Sequence, residues 1–411
     1  MVPMRKTPFF YGYTIVAAAF CIMSISWGSN RTFGVFLEPM VSDFGWTRAQ
    51  ISGAFTLGTF IMGFGSVLAG RLTDRIGPRA VLIGCGLFLG CGYIGASQIQ
   101  TIGQFYFFYG GISGIGMSGA WVPLMSVVTR WFLKRRAFIS GIVATGPSMG
   151  IVAMPLLFSI FISAWGWRVS YIILGIMVLS VSLVAALFLK RDPATMGLLP
   201  YGAEERAAGE VDVQTLGFSL EEALRTRQFW ILGLITFCDL FLINVIVVHL
   251  VPHALKMNIP AMQAASILSL GAGVSIPGRI FIGWVADRIG NREGLFICLI
   301  LSVISLSILL WARELWTFYL FSVIYGISLW STGAIMSPLT AGIFGLKNHA
   351  SIFSFTALGG MIGGGVGPVL VGYTFDVTGT YEAGLFICFF VSLIALSGIM
   401  LLRPLRQKPN Q

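Results

Sequence analysis

The stretch GAGVSIPGRIFIGWVADRIGNREGL, residues 271–295, decides how the chain is read. Its first half is apolar and glycine-rich and carries a single charge, Arg279. Its second half, Gly283 to Gly290, reads as a compact polar turn holding Asp287 and Arg288. A near copy of that turn, GRLTDRIG, runs from Gly70 to Gly77 and holds Asp74 and Arg75. The copies lie 213 residues apart in a chain of 411. A repeated charged turn and an unrepeated arginine in an apolar run both need a cause.

Working outward, charged residues are 10% of the chain and hydrophobic ones 56%. A soluble domain carries about a quarter charged residues. So few charges cannot coat a core of this size, so most of the surface must meet lipid. Twelve apolar segments reach the about 20 residues that a span requires: 10–36, 48–70, 79–98, 103–128, 137–162, 168–189, 228–251, 261–284, 294–312, 316–340, 350–374 and 381–402. A polar stretch from Lys190 to Arg227, with Glu204, Glu205, Arg206, Glu210, Asp212, Glu221 and Glu222, separates six from six. The expected organisation is an all-α membrane protein: a six-helix bundle over 1–190, a cytoplasmic linker over 191–227 and a second bundle over 228–411. The apolar run after Arg5 and Lys6 has no small-residue cleavage site and reads as a first transmembrane helix, not a signal peptide.

With the N-terminus placed in the cytoplasm, 20 of the 26 basic residues fall on the cytoplasmic side, Arg130 and Lys134-Arg135-Arg136 among them. Arg48, Arg168, Lys256 and Arg313 fall outside, and Arg31 and Arg279 fall within spans. This bias fits the positive-inside rule with both termini inside. The net charge of +10 is therefore topogenic, and no nucleic-acid partner is implied. The six cysteines lie in apolar runs without a CxxC pair, against disulfides and metal sites.

The halves are repeats. The same offset matches Pro39 with Pro252, Gln50 with Gln263, Lys134 with Lys347, Gly146 with Gly359, Gly150 with Gly363, Pro155 with Pro368 and Gly166 with Gly379. One offset held across a half is stronger than any single match. Two six-helix halves of equal orientation, related by a pseudo-two-fold axis along the membrane normal, are the plan of a rocking transporter with its site near the midplane.

The paired turns GRLTDRIGPR and GWVADRIGNR resemble the loop signature of the major facilitator superfamily. The stretch Trp131-Phe132-Leu133-Lys134-Arg135-Arg136-Ala137-Phe138-Ile139-Ser140-Gly141 is similar to the signature opening the fifth helix of the monocarboxylate transporter family, with Ile139-Ser140 where Leu-Ala is usual. Bacterial oxalate/formate antiporters share much of it. The resemblance implies a bacterial, lactate-transporter-like member. It also implies that Arg279, in the eighth helix, binds the substrate carboxylate. Eukaryotic members have an aspartate four residues earlier. Here that position is Ser275, so their aspartate-based proton relay is in doubt. Arg31 matches a family lysine used in coupling, and arginine cannot release its proton.

The residues themselves support part of this. A guanidinium at the bilayer centre costs at least ~2.5 kcal/mol on insertion scales. The matching position in the first half is Ser66, so one half does without the charge. Ser275 shares a helical face with Arg279, and a guanidinium can clamp a carboxylate through two parallel hydrogen bonds. The alternative is snorkelling, since Gly283 lies four residues on, ~6 Å at helical rise. Arg31, beside Asn30 and Trp27, reads equally as an interfacial anchor, and its partner position is Asn244. Asp239, mid-span in the seventh helix, is the candidate proton carrier, because an apolar region favours a neutral carboxylic acid and a nearby arginine the charged one. His249 is the second candidate, and a plain buried or interfacial role is open for both. His349, in a cytoplasmic turn, is given no role. Trp27, Trp121, Tyr325 and Trp330 fall on helices that line the cavity of this fold. The repeated Asp74-Arg75 and Asp287-Arg288 read as a conformational latch or as topogenic turns. The glycines of Gly359 to Gly367 read as helix packing or a hinge.

The expected function is proton-coupled symport of a small monocarboxylate such as L-lactate or pyruvate by a monomer in a bacterial inner membrane. No cofactor is expected beyond the proton, and no Walker loop or enzyme chemistry. The rival is an oxalate/formate-type exchanger. The eleventh helix has no Lys or Arg for a dianion's second charge, unless Arg31 supplies it.

Overall fold

The computed structural model describes residues 10–203 and 217–402. Arg5, Lys6, Glu204, Glu205, Arg206, Glu210, Asp212, Arg403, Arg406 and Lys408 lie outside the described residues. The described chain is helical, with two isolated β-bridges. Eleven helical stretches are long and apolar enough to cross a membrane. They are α1 (Gly12–Phe44), α2 (Arg48–Ile76), α3 (Pro78–Ala96), α4 (Ile102–Trp131), a 53-residue run Arg136–Phe188, α7 (Arg227–Lys256), α8 (Met262–Ile289), α9 (Asn291–Trp311), α10 (Leu315–Phe344), α11 (His349–Thr378) and α12 (Glu382–Leu401). The 53-residue run is two helices, because Gly166 breaks it with φ 76°. We name them α5 (136–165) and α6 (167–188), which makes twelve long apolar helices among the described residues.

The chain divides into two units, each described by itself. The first holds α1–α4 and residues 142–203, and the second holds 135–141 and 217–402. Lipid-facing and packed faces follow helical period. On α2, Phe60, Phe64 and Leu68 are exposed at four-residue spacing while Met62, Ser66 and Ala69 are buried.

The repeat is visible in how backbones meet. In the first unit a Cβ on Gly146 would meet the Phe20 carbonyl at 2.9 Å, and one on Gly150 would collide with the Ser24 carbonyl. In the second unit a Cβ on Gly359 would meet the Gly233 carbonyl at 3.1 Å, and one on Gly363 would collide with that of Phe237. All four residues of one set map onto the other by the 213-residue offset. Small residues let α5 lie on α1 and α11 on α7 with backbones nearly touching. Of the glycines from Gly359 to Gly367, all but Gly365 therefore pack closely against α7.

The repeated turns are shorter than the sequence suggested. Helix continues through Thr73, Asp74 and Arg75 to Ile76, and through Asp287 and Arg288 to Ile289. Only Gly77 (φ 89°) and Gly290 (φ 112°) reverse the chain, in a region where a Cβ is disfavoured. This matters for Arg279, which stands ten residues from the end of α8, about 15 Å at helical rise, and not four.

Candidate functional site

Two helix breaks shape the interior. In α10 the backbone leaves helical geometry at Ser328 (ψ −88°) and makes a 3-10 turn, Leu329–Ser331, before resuming at Thr332. In α4 a π-helical turn (Tyr106–Ile112) precedes a break at Trp121 (ψ −69°). By the repeat offset Trp121 maps onto Ala334, six residues beyond Ser328, so each half breaks its fourth helix but not at the same position. Interrupted helices expose backbone carbonyls that can be put to use, tolerated where protein buries them or they line a cavity.

The α10 turn organises the second unit's polar interior. Arg279 on α8 is half-buried, and its Nε donates to the Trp330 carbonyl at 2.8 Å. Trp330 is the midpoint of the 30-residue α10, so the guanidinium is anchored deep in the span. The snorkelling alternative placed that group at a helix end and does not describe this geometry. Two residues on, the Thr332 hydroxyl lies 2.7 Å from Asp239 Oδ2 on α7 and 2.7 Å from the Leu329 carbonyl. Asp239 is 7% exposed, and its Oδ1 has no hydrogen-bond partner among the described residues. One short turn thus holds Arg279 by a carbonyl and Asp239 by a hydroxyl.

The other candidates of this unit fall around that turn or away from it. Tyr325 is buried, donates to the Leu242 carbonyl at 3.3 Å and meets the Trp330 ring edge-on at 6.0 Å. Ser275 is buried, and its hydroxyl donates back to Ala272 at 2.7 Å. Asn244 donates to the Leu240 carbonyl of its own helix at 3.0 Å. His249 is ten residues along α7 from Asp239, about 15 Å at helical rise. Its Nε2 lies 2.9 Å from the Pro368 carbonyl, which can only accept, so Nε2 carries the hydrogen. The structure does not bring His249 to the Arg279 anchor. His349, read from the sequence as a turn residue without a role, is fully buried, bonded through Nε2 to the Ser337 carbonyl at 3.0 Å and stacked on Phe353.

In the first unit Trp27 meets Trp121 edge-to-face at 6.5 Å, and the Trp27 Nε1 has no partner among the described residues. Asn30 lines a small cavity with Tyr109 and Ser113. Arg31 is exposed and makes no hydrogen bond or ion pair among the described residues.

The residues proposed as a latch separate. Asp287 accepts the Ala137 and Phe138 N–H groups at 2.9 and 2.8 Å, capping the first turn of α5. Arg288 lies over the Trp284 ring at 3.9 Å, and Arg75 is exposed. Asp74 pairs with Arg130 at 3.0 Å, and Arg130 reaches Asp192 at 3.3 Å. Sequence reasoning counted Arg130 among the topogenic cytoplasmic charges. The structure instead buries it to 7% side-chain exposure. A signal existed: Asp74 needed a basic partner, and Arg130 lies on the helix side of Trp131-Phe132, apart from Lys134-Arg135-Arg136.

A family model described as Major Facilitator Superfamily matches residues 17–295 and 278–411. Among curated proteins, Monocarboxylate transporter 13 of Rattus norvegicus is 28% identical over 405 residues, covering 96% of this chain and 89% of that protein. Monocarboxylate transporter 7 of Homo sapiens is 24% identical, covering 96% and 86%. Among solved structures, the proton:xylose symporter XylE superposes with a TM-score of 0.76 at 12% identity, covering 96% of each chain, which is a likeness of fold.

Proposed function

Because the chain belongs to the major facilitator superfamily, and is thus a multi-pass membrane transporter and not an enzyme, we propose that it carries small monocarboxylates such as L-lactate or pyruvate together with a proton. Carriage is by alternating access, with no other cofactor. The names of its relatives support the substrate class. The observation that carries the reading is Arg279 held by the midpoint carbonyl of α10. Its Nε–H bond to Trp330 orients the planar guanidinium. This is the geometry that clamps a carboxylate by two parallel bonds. Asp239 is the proton carrier in this reading and His249 a lesser candidate, because Asp239 shares the α10 turn with Arg279. Tyr325 and Trp330 bound the apolar end of the anion, and Ser275 on α8 and Asn244 on α7 are further candidates of that unit. Trp27, Asn30 and Arg31 are the first unit's own candidates. The Asp287 cap on α5 and the Asp74–Arg130 pair hold helix ends in the manner of a latch.

The distribution of Lys and Arg supports cytoplasmic termini, and the chain acts as a monomer in a bacterial inner membrane. Exchange of a dianion such as oxalate is the second reading, because Arg31 makes no ion pair among the described residues and could balance a second charge. Uptake of labelled lactate, pyruvate, oxalate and formate into proteoliposomes, with and without an inward proton gradient, decides between them. Symport requires lactate uptake that accelerates when the outside is acid. Oxalate exchange indifferent to the gradient overturns it.

A further inference from the structure

We propose that Thr332 is a positioning residue that reads the protonation state of Asp239 and passes it to the anchor of Arg279. A threonine hydroxyl has one hydrogen to donate. Here it lies 2.7 Å from two oxygens at once, Asp239 Oδ2 and the Leu329 carbonyl. Only one of them can receive that hydrogen. A carbonyl cannot donate in return, but a protonated carboxyl can.

Two arrangements therefore satisfy the cluster. With Asp239 ionised, the hydroxyl turns its hydrogen to Oδ2, because a bond to a charged acceptor is the stronger. The Leu329 carbonyl then keeps only the Thr332 backbone N–H, which it already accepts. With Asp239 protonated, Oδ2–H donates to Thr332 Oγ1 and the hydroxyl hydrogen returns to Leu329. The switch moves one proton on or off Oδ2 and rotates one hydroxyl, and no carbonyl loses its last donor.

Leu329 opens the 3-10 turn whose next residue, Trp330, holds Arg279 by its carbonyl. A hydrogen bond gained or lost at the first carbonyl of a three-residue turn re-aims the second. Substrate affinity at Arg279 thereby follows the proton on Asp239 through the α10 turn. The other titratable groups facing Asp239 are Cys238 on its own helix, Cys298 on α9 and Tyr325 on α10. None is a competing carboxylate or base.

This inference rests on Asp239 being the proton carrier, and the test separates the two. The lactate KM is measured in proteoliposomes at acid and neutral outside pH for wild type, Thr332→Val, Thr332→Ser and Asp239→Asn. The wild-type KM falls on acidification by about tenfold, the size of one hydrogen bond to a charged group. Thr332→Val flattens this dependence and Thr332→Ser, which keeps the hydroxyl, restores it. Thr332→Ala, also lacking the hydroxyl, is read in its place if the valine variant does not reach the membrane. Wild-type pH dependence in the variants lacking the hydroxyl, with a flat response in Asp239→Asn, overturns the role of Thr332 alone. Wild-type dependence in Asp239→Asn overturns the proton-carrier assignment and this inference with it.

Discussion

Replacing Arg130 with alanine removes the cation from a cluster buried within the protein. The Arg130 and Asp74 side chains are 7% and 5% exposed, and Asp192 is 26% exposed. Breaking a buried pair by deleting one partner costs about 3–5 kcal/mol, mostly because the charge left behind is uncompensated. The 3.0 Å bond to the more buried Asp74 should carry most of that. In a six-helix unit of about 200 residues, each kcal/mol moves Tm by roughly 2–4 °C, so the first unit should melt on the order of 10 °C lower. Thermal melting in detergent, followed by intrinsic tryptophan fluorescence, reads this directly. The double variant Arg130→Ala/Asp74→Ala should recover part of the loss, since it removes the stranded carboxylate. An unchanged Tm in Arg130→Ala, or strict additivity in the double variant, would refute the pairing as a source of stability.

Gly363→Val should cost about 1–3 kcal/mol or more, because its Cβ collides with the Phe237 backbone and not with a side chain that can swing away. Lower yield of monodisperse protein than for Gly365→Val, a position open on its Cβ side, checks this. Asp287→Ala should loosen the first turn of α5 by about 0.5–2 kcal/mol, the cost of a lost N-cap, seen as faster amide exchange at Ala137 and Phe138. Glu222 caps the short helix Leu220–Leu224, and its bonds to Ser219 hold its carboxyl below the usual range. A depressed carboxyl stabilises above its unfolded pKa and stops doing so as pH falls through the folded one. Amide protection of Leu220–Leu224 should therefore be present at neutral pH and fade on acidification, and Glu222→Gln, which leaves no carboxyl to titrate, should abolish that dependence.

Much of the fold was legible because lipid imposes simple rules. Spans and repeat follow from runs of apolar residues and from one offset, and the glycine contacts at Phe20, Ser24, Gly233 and Phe237 obey the same offset. Helix ends were harder to read. Asp287 and Arg288 look like a turn because they are charged, yet they continue a helix whose end needs only Gly290. Arg279 was visible as a lone charge in an apolar run. Thr332 was not, since nothing in a hydroxyl 93 residues from Asp239 marks it as that residue's partner. The burial of Arg130 was not legible for a related reason: a basic residue near a helix end satisfies the positive-inside rule, and only its partners show that it is buried.

The central claim is that Arg279 grips the organic acid. Its most direct measurement is equilibrium binding of labelled lactate to purified Arg279→Ala and Arg279→Lys beside wild type, with melting as the control for fold. The claim predicts that alanine weakens binding by about a hundredfold, the worth of a charge-assisted bidentate contact, and that lysine, lacking the planar fork, restores only part. A folded Arg279→Ala that binds lactate as wild type does would contradict it.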